Sequence, residues 1–440
     1  MNRSRLYLTT SAACLIGLSF LPANSPPKSN DARDKAAKTL FDPDPEHPWN
    51  RLHRIFYVRS VGKGQTYTHH GLDAPFGSHG KSLLAEPLYT QALDALDAFL
   101  RAKADEQIKD PLKRAVLQRD LWYIFDTLAE PSWGSPMDRE SNWEKPAQRR
   151  ALEKRLVQVM HRLEQPAESL RKLPDNYART VHSKAFPEAF DAKHPEKPYL
   201  PTDLRCDGSG DWVPINRFLP YGANNLGAPL HVSFTQGRAV FLAFLRLPGG
   251  RKETEAYLTK MPDGGERDVK KFPSLPDGSQ VALVRRMLLP DDRGVLQGTP
   301  VIESVQLRTF PKGAKQRFFE FTLDRSALLS GRGGLRAVGA AESEFFGFAN
   351  DKGTIMNEAE PFDNGPRRKP IVVLSNCVRC HGSPPSSERL FKIHTFGFFE
   401  HKWYAGAAKT TIEVQIHLTT TRKMRSYSWG LLQGLRESTP

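Results

Sequence analysis

Apolar positions in the first half of the chain recur at helical intervals. In "PLYTQALDALDAFL" Leu88, Ala92, Leu93, Leu96, Phe99 and Leu100 share one face. "DPLKRAVLQRDLWYIFDTLAE" opens with Asp110 placed to cap and Pro111 at the first helical position, where a missing N–H is tolerated. "KPAQRRALEKRLVQVMHRLEQ" sets Leu152, Leu156, Val159, Met160 and Leu163 on one stripe, with His161 beside it as a surface or core-edge histidine. These patterns predict a mainly helical domain over residues 51–195.

The pattern then changes. "VSFTQGRAVFLAFLRLP", "QVALVRRMLLP", "VIESVQLRTFP" and "QRFFEFTLDRSALL" are β-branched and aromatic runs bounded by Pro-Gly, Pro-Asp and Gly-rich turns, and they predict strands. A short helix, "RKETEAYLTKM", interrupts them. Residues 196–365 therefore read as a β-rich α+β domain. In the last segment, 366–440, the apolar run Ile371 to Leu374 leads into "SNCVRCHGSPP". The aromatic piece "LFKIHTFGFFEHKWY" follows. "TTIEVQIHLTT" then alternates strictly, Ile412, Val414, Ile416 and Leu418 opposing Glu413, Gln415 and His417, which predicts a strand. "SYSWGLLQGLR" predicts a short closing helix. The fold class expected is α+β and multidomain.

The N-terminus departs from both patterns. Arg3 and Arg5 precede an apolar stretch from Leu6 to Leu21, with small residues at Ala23 and Ser25, the features of a secretory signal over residues 1–25. The stretch is shorter than the roughly 18 residues of a bilayer span, although an uncleaved anchor is the other reading. "TTSAAC" ending at Cys14 loosely resembles a lipoprotein box, but "LIGLSFL" follows where a polar tether belongs. Export to the periplasm or cell envelope is the expectation. Residues 26–50 are Pro-rich and charged and read as a linker. At 440 residues, with 39% hydrophobic and 25% charged residues, the chain is of the soluble globular class and long enough for several domains.

Removal of the signal leaves Cys206, Cys377 and Cys380. Three thiols do not make a disulfide framework. Cys206, in the polar loop "LRCDGSGDW", reads as a small structural residue or a free thiol. Cys377 and Cys380 form a Cys-x-x-Cys with His381 directly after it. Random placement of four Cys and thirteen His would yield that pattern about 0.001 times per chain.

Cys377–Val378–Arg379–Cys380–His381 resembles the haem-attachment signature of c-type cytochromes. The match covers five residues together with the export signal. The resemblance implies one covalent haem c, held as thioethers on Cys377 and Cys380, with His381 as the proximal iron ligand. It also points to a distal Met C-terminal to the motif, here Met424. His394, His401, His417 and Met356 are further candidates, and an open sixth position is another arrangement. Two other readings of the cysteines stay open. A zinc site needs a second pair of ligands, and no further Cys-x-x-Cys or spaced His pair is present. A thioredoxin-like redox pair needs a helix starting on the second cysteine, which Pro384 and Pro385 oppose. His69, His70 and His79 read as loop histidines rather than a metal site. "SGRGGLRAVG", with Arg332, lacks the Gly-Lys-Ser/Thr ending of a phosphate loop and reads as a turn.

Net charge is +14, and from Pro366 to Arg425 there are 11 Lys and Arg against 3 Asp and Glu. No nucleic-acid motif accompanies this charge. Around a haem edge it suits an acidic redox partner protein; contact with an anionic membrane surface is the alternative. The leading expectation is an exported monohaem protein serving in electron transfer rather than a stand-alone catalyst. A haem-dependent enzyme such as a peroxidase is the second reading. A non-haem envelope protein with a Cys377–Cys380 disulfide is the third.

Overall fold

The computed structural model describes residues 38–62, 65–68, 72, 81–129, 145–215, 236–260, 275–313, 316–344, 371–374, 378 and 411–438. Expectations for the N-terminal signal, the aromatic piece and Cys377 and Cys380 fall outside them. The described chain mixes helices with an antiparallel sheet, an α+β arrangement.

Folding begins earlier than the linker expected over residues 26–50. Phe41 is in the core. The Asn50 amide accepts the Phe41 N–H and donates to the Asp42 and Asp44 carbonyls, which fixes the turn before helix α1, Pro48–Tyr57. The hairpin β1, Val58–Gly62, with β2, Gln65–Thr68, follows. Helices α2, Leu88–Arg101, α3, Pro111–Ala129, and α4, Pro146–Leu163, lie where the helical spacing predicts. Asp110 Oδ1 accepts the Leu112 and Lys113 N–H groups at 2.8 and 3.2 Å, satisfying donors that a helix start leaves orphaned. Helix α3 is buried on every side, and it carries Gln118, Arg119, Asp120 and Asp126 inward with its apolar residues. Each buried charge on it must find a partner. Short helices α5, Ala167–Arg171, and α6, Asn176–His182, lead to the sheet.

The sheet is a six-stranded antiparallel meander: β3, Val213–Ile215; β4, Ala239–Arg246; β5, Gln280–Pro290; β6, Leu296–Thr309; β7, Arg317–Leu323; β8, Leu335–Ala337. Helix α7, Gly250–Leu258, joins β4 to β5. The run "QRFFEFTLDRSALL" is a strand only in its first half. Asp324 accepts the Ala327 N–H and starts α8, Arg325–Leu329. Side chains paired across the strands share a face. Leu242, Val284, Val305, Phe321 and Ala337 make one apolar row on the first face, packed beneath Tyr177, Tyr199, Leu200 and Leu204.

The sheet and the helices share a core. Met287, Leu289, Val301 and Leu323 from the strands cluster with Leu121, Phe125 and Leu156 from the helices, and with Trp429 and Leu432 near the C-terminus.

The C-terminal stretch overturns one expectation. Residues 412–418, predicted as a strand, belong to helix α9, Ile412–Met424. Thr411 caps it, Glu413 lies in its first turn, and Arg422 and Lys423 lie in its last, each sign complementing the helix dipole. Alternating apolar residues also contain i,i+4 pairs, so the pattern fits a helix equally. Ile412 and Ile416 pack on the first face of the sheet, while Leu418 packs beside Ala239 and Phe241. Among the described residues β3 pairs with residues 243–245 of β4, and α9 packs on β4 and β6. Helix α10, Tyr427–Glu437, fulfils the expectation of a closing helix and packs on α3 and α4.

Candidate functional site

The chain approaches the Cys377–x–x–Cys380–His381 motif through a two-residue ladder, β9, Ser343–Glu344, against β10, Ile371–Val372. The Val373 N–H donates to the Glu342 carbonyl at 2.9 Å, and Glu342 holds the Arg336 guanidinium through two bonds of 2.8 and 2.6 Å. Residues 373, 374 and 378 are helical, and Val378 is 48% exposed. Cys377, Cys380 and His381 lie outside the described residues. So do Met356, His394, His401, His69, His70 and His79.

Met424 lies at the end of α9 and is 62% exposed. His417 is exposed on the same helix, and a separation of seven residues puts both on one side. In a strand the same two residues would face opposite ways. The neighbouring Lys423 points inward. Its Nζ reaches Asp126 Oδ2 at 2.7 Å and Ser428 Oγ at 3.0 Å. Arg238 Nη1 donates to the same Asp126 oxygen at 2.6 Å. One buried carboxylate thus holds cations from the start of β4 and from α9.

The second face of the sheet differs from the first. Phe241, Arg285, Ser304, Thr322 and Arg336 form one row across five strands, and Ala243, Leu283, Gln306 and Glu320 form the next. Apart from Leu283 of β5, these rows are polar and half-buried from β5 to β8. Between Arg285 and Arg286 the register slips, because Ile302 and Ser304 face them and Glu303 is the extra residue of a β-bulge. The bulge turns Glu303 onto Arg119, 3.2 Å away, and onto Arg285. Asn176 satisfies both backbone groups of Ile302, donating to its carbonyl at 2.9 Å and accepting its N–H at 2.7 Å. Gln306 donates to Glu320 at 3.3 Å, and burial pushes the Glu320 carboxyl above the usual carboxylate range.

Sequence reasoning did not find Asp126, Arg238, Glu303 or Glu320. The signal available was charge inside the apolar helix "RDLWYIFD", where an inward carboxylate requires a cation. Cys206 is a half-buried free thiol pushed up to about 11, chiefly by burial, which suits an inert structural residue. Arg332 sits in the turn after α8, its Nε donating to Ser330 Oγ and its backbone N–H to the Ala327 carbonyl. His161 is half-buried at the core edge and bonds Glu164 at 2.7 Å.

Two donor types that a haem iron accepts, the Met424 thioether and the His417 imidazole, are exposed on one side of α9 about two turns apart, and a carboxylate-binding guanidinium, Arg336, lies near Val373 on the approach to Cys377. Among the described residues no group of three His, Cys, Asp or Glu converges as a metal site, and no helix is long and apolar enough to cross a membrane. No family model matches the chain, and no curated protein or solved structure is detectably similar to it.

Proposed function

We propose that the protein is an exported monohaem c-type cytochrome-like protein that carries electrons. The observation that carries this reading is the Cys377–x–x–Cys380–His381 spacing, set in a segment rich in Lys and Arg. When bound, the haem supplies reversible one-electron chemistry. Cys377 and Cys380 hold it covalently, and His381 is the proximal ligand. Met424 is the distal ligand, a choice supported by its exposure beside His417 on α9. The excess of Lys and Arg in this segment steers an acidic redox partner by long-range attraction that salt weakens.

The test is expression with the signal in a host that has a cytochrome c maturation system. A haem stain of a denaturing gel and a pyridine haemochrome spectrum report covalent haem. A stained band that disappears in a Cys377→Ala, Cys380→Ala double variant is expected. An unstained wild-type band sinks the reading.

A further inference from the structure

Helix α3 turns a ridge of three polar-tipped side chains into the seam between the sheet and the C-terminal helices. Gln118, Trp122 and Asp126 recur every fourth residue, so they share one side of the helix at steps of about 6 Å. All three are buried. Gln118 Nε2 donates to the carbonyl of Pro290, the last residue of β5. The Trp122 ring packs on Trp429 of α10, with centroids 6.2 Å apart, and against Lys423 of α9. Asp126 Oδ2 accepts from Lys423 and from Arg238. Each residue also carries a polar atom that no protein group meets among the described residues: Gln118 Oε1, Trp122 Nε1 and Asp126 Oδ1. Only a nitrogen can donate to Pro290, which fixes the orientation of the Gln118 amide. The ridge therefore presents an acceptor, a donor and an acceptor in turn. Buried atoms of this kind are costly to leave unmet.

We propose that this seam is an internal hydration site. One water accepts the Trp122 indole N–H and donates to Gln118 Oε1, and a second donates to Asp126 Oδ1. The site stands apart from the haem reading and holds whether or not that reading does. The class of ligand follows from the atoms that must be met. An anion is opposed by the Gln118 carbonyl and by the Asp126 carboxylate. A cation is opposed by the indole N–H, which can only donate, and by Lys423 and Arg238 nearby. An apolar ligand leaves all three atoms unmet. Water accepts and donates at once. A molecule bonded on both sides at about 2.9 Å also spans the ~6 Å step of the ridge. The second water completes the shell of Asp126, whose other oxygen already serves two cations. The C-terminal helices thus dock on α3 through a hydrated seam rather than a dry one.

A crystal structure of the full chain, at a resolution that shows ordered water, is the test. Density for one oxygen within about 2.7–3.2 Å of both Gln118 Oε1 and Trp122 Nε1, and for another on Asp126 Oδ1, is expected. Gln118→Met, close to glutamine in volume, removes the first acceptor and is expected to lose the first water while keeping the second. Far-UV circular dichroism confirms that this variant is folded, and the wild-type density decides the matter if it is not. In solution, a water-selective rotating-frame Overhauser experiment on the protein labelled with 15N at its indoles reads the same contact. The Trp122 N–H, assigned by its loss in Trp122→Phe, should show a cross-peak at the water frequency. Ser428→Ala should keep that cross-peak, because it removes a hydroxyl beside Lys423 that could relay exchange with water. A Trp122 N–H bonded directly to Gln118 Oε1 overturns the proposal. Density that scatters anomalously as an ion does the same, and so does a resolved indole signal without a water cross-peak.

Discussion

Lys423 Nζ lies 2.7 Å from Asp126 Oδ2, and neither side chain reaches solvent. Arg238 shares that oxygen at 2.6 Å, so residues far apart in the chain meet at one buried carboxylate. Lys423 also lies over the Trp122 ring, 5.5 Å from its centroid. Removing the carboxylate leaves two buried cations facing each other. Asp126→Ala is expected to cost about 3–5 kcal/mol, the scale for breaking a buried pair. Lys423→Met leaves the Asp126–Arg238 pair balanced and is expected to cost less, about 1.5–3 kcal/mol for a charge-assisted hydrogen bond. Urea unfolding of both variants checks the order. A milder effect for Asp126→Ala would remove Asp126 as the keystone.

Two glycines record how closely α9 is docked. A Cβ at Gly298 would collide with Ile416, and one at Gly237, at φ 83°, would come within 2.8 Å of Lys423 Cβ. Gly298→Val therefore forces α9 off the sheet at a cost of about 1–3 kcal/mol. Limited proteolysis should then cut first within residues 411–438, with the rest of the fold resistant. Unchanged protection of that stretch would mean that Ile416 repacks.

Glu153 gives the fold a pH dependence of definite sign. Its carboxylate is 3.7 Å from Arg149, yet burial dominates and pushes it up to about 7. Its folded-state value lies above the unfolded one, so the folded protein binds more protons between about 4.5 and 7. This contribution is present below about 4.5 and is lost as pH rises through 7, by ~3 kcal/mol in total. Relative to Glu153→Gln, the wild-type melting temperature should fall across that window. A wild-type rise there would show that the arginine outweighs burial.

Helices with one apolar stripe were legible because their spacing and caps agree, as at Asp110 and the Leu152 to Leu163 face. Helix α9 was not. Its apolar residues alternate over two turns, and its buried face is polar at Gln415, Thr419 and Lys423, the reverse of the usual stripe. What settles its form is the docking of Lys423 on Asp126, 297 residues away. The polar second face was half legible. The run "RFFEFTL" shows Glu320 and Thr322 opposing Phe319 and Phe321, but only strand register brings Arg285, Ser304 and Arg336 beside them. The Cys377–x–x–Cys380–His381 spacing is local in sequence, so it is read without the fold.

The shared face of α9 separates two candidate iron ligands. With Met424 as distal ligand, Met424→Ala opens the sixth position and converts the ferric iron from low to high spin in electron paramagnetic resonance. His417→Ala leaves the spin state unchanged. The opposite pattern would transfer the role to His417, and no change in either variant would remove α9 from the coordination sphere.

Counting thiols distinguishes covalent haem from a disulfide without any spectrum of iron. In a chain processed at the export signal proposed for residues 1–25, the cysteines are Cys206, Cys377 and Cys380. Thioethers do not react with a thiol reagent and are not opened by a thiol reductant, whereas a disulfide is. The denatured haem protein should therefore show one reactive thiol both before and after reduction. A Cys377–Cys380 disulfide would show one before and three after, and two free cysteines would show three throughout. In the native protein the remaining thiol should react slowly. Burial pushes Cys206 up to about 11, against about 9 for a solvated thiol, which lowers its thiolate fraction near neutral pH about 100-fold. A native rate equal to that of the denatured chain would show that Cys206 is more open than its packing against the first face of the sheet implies.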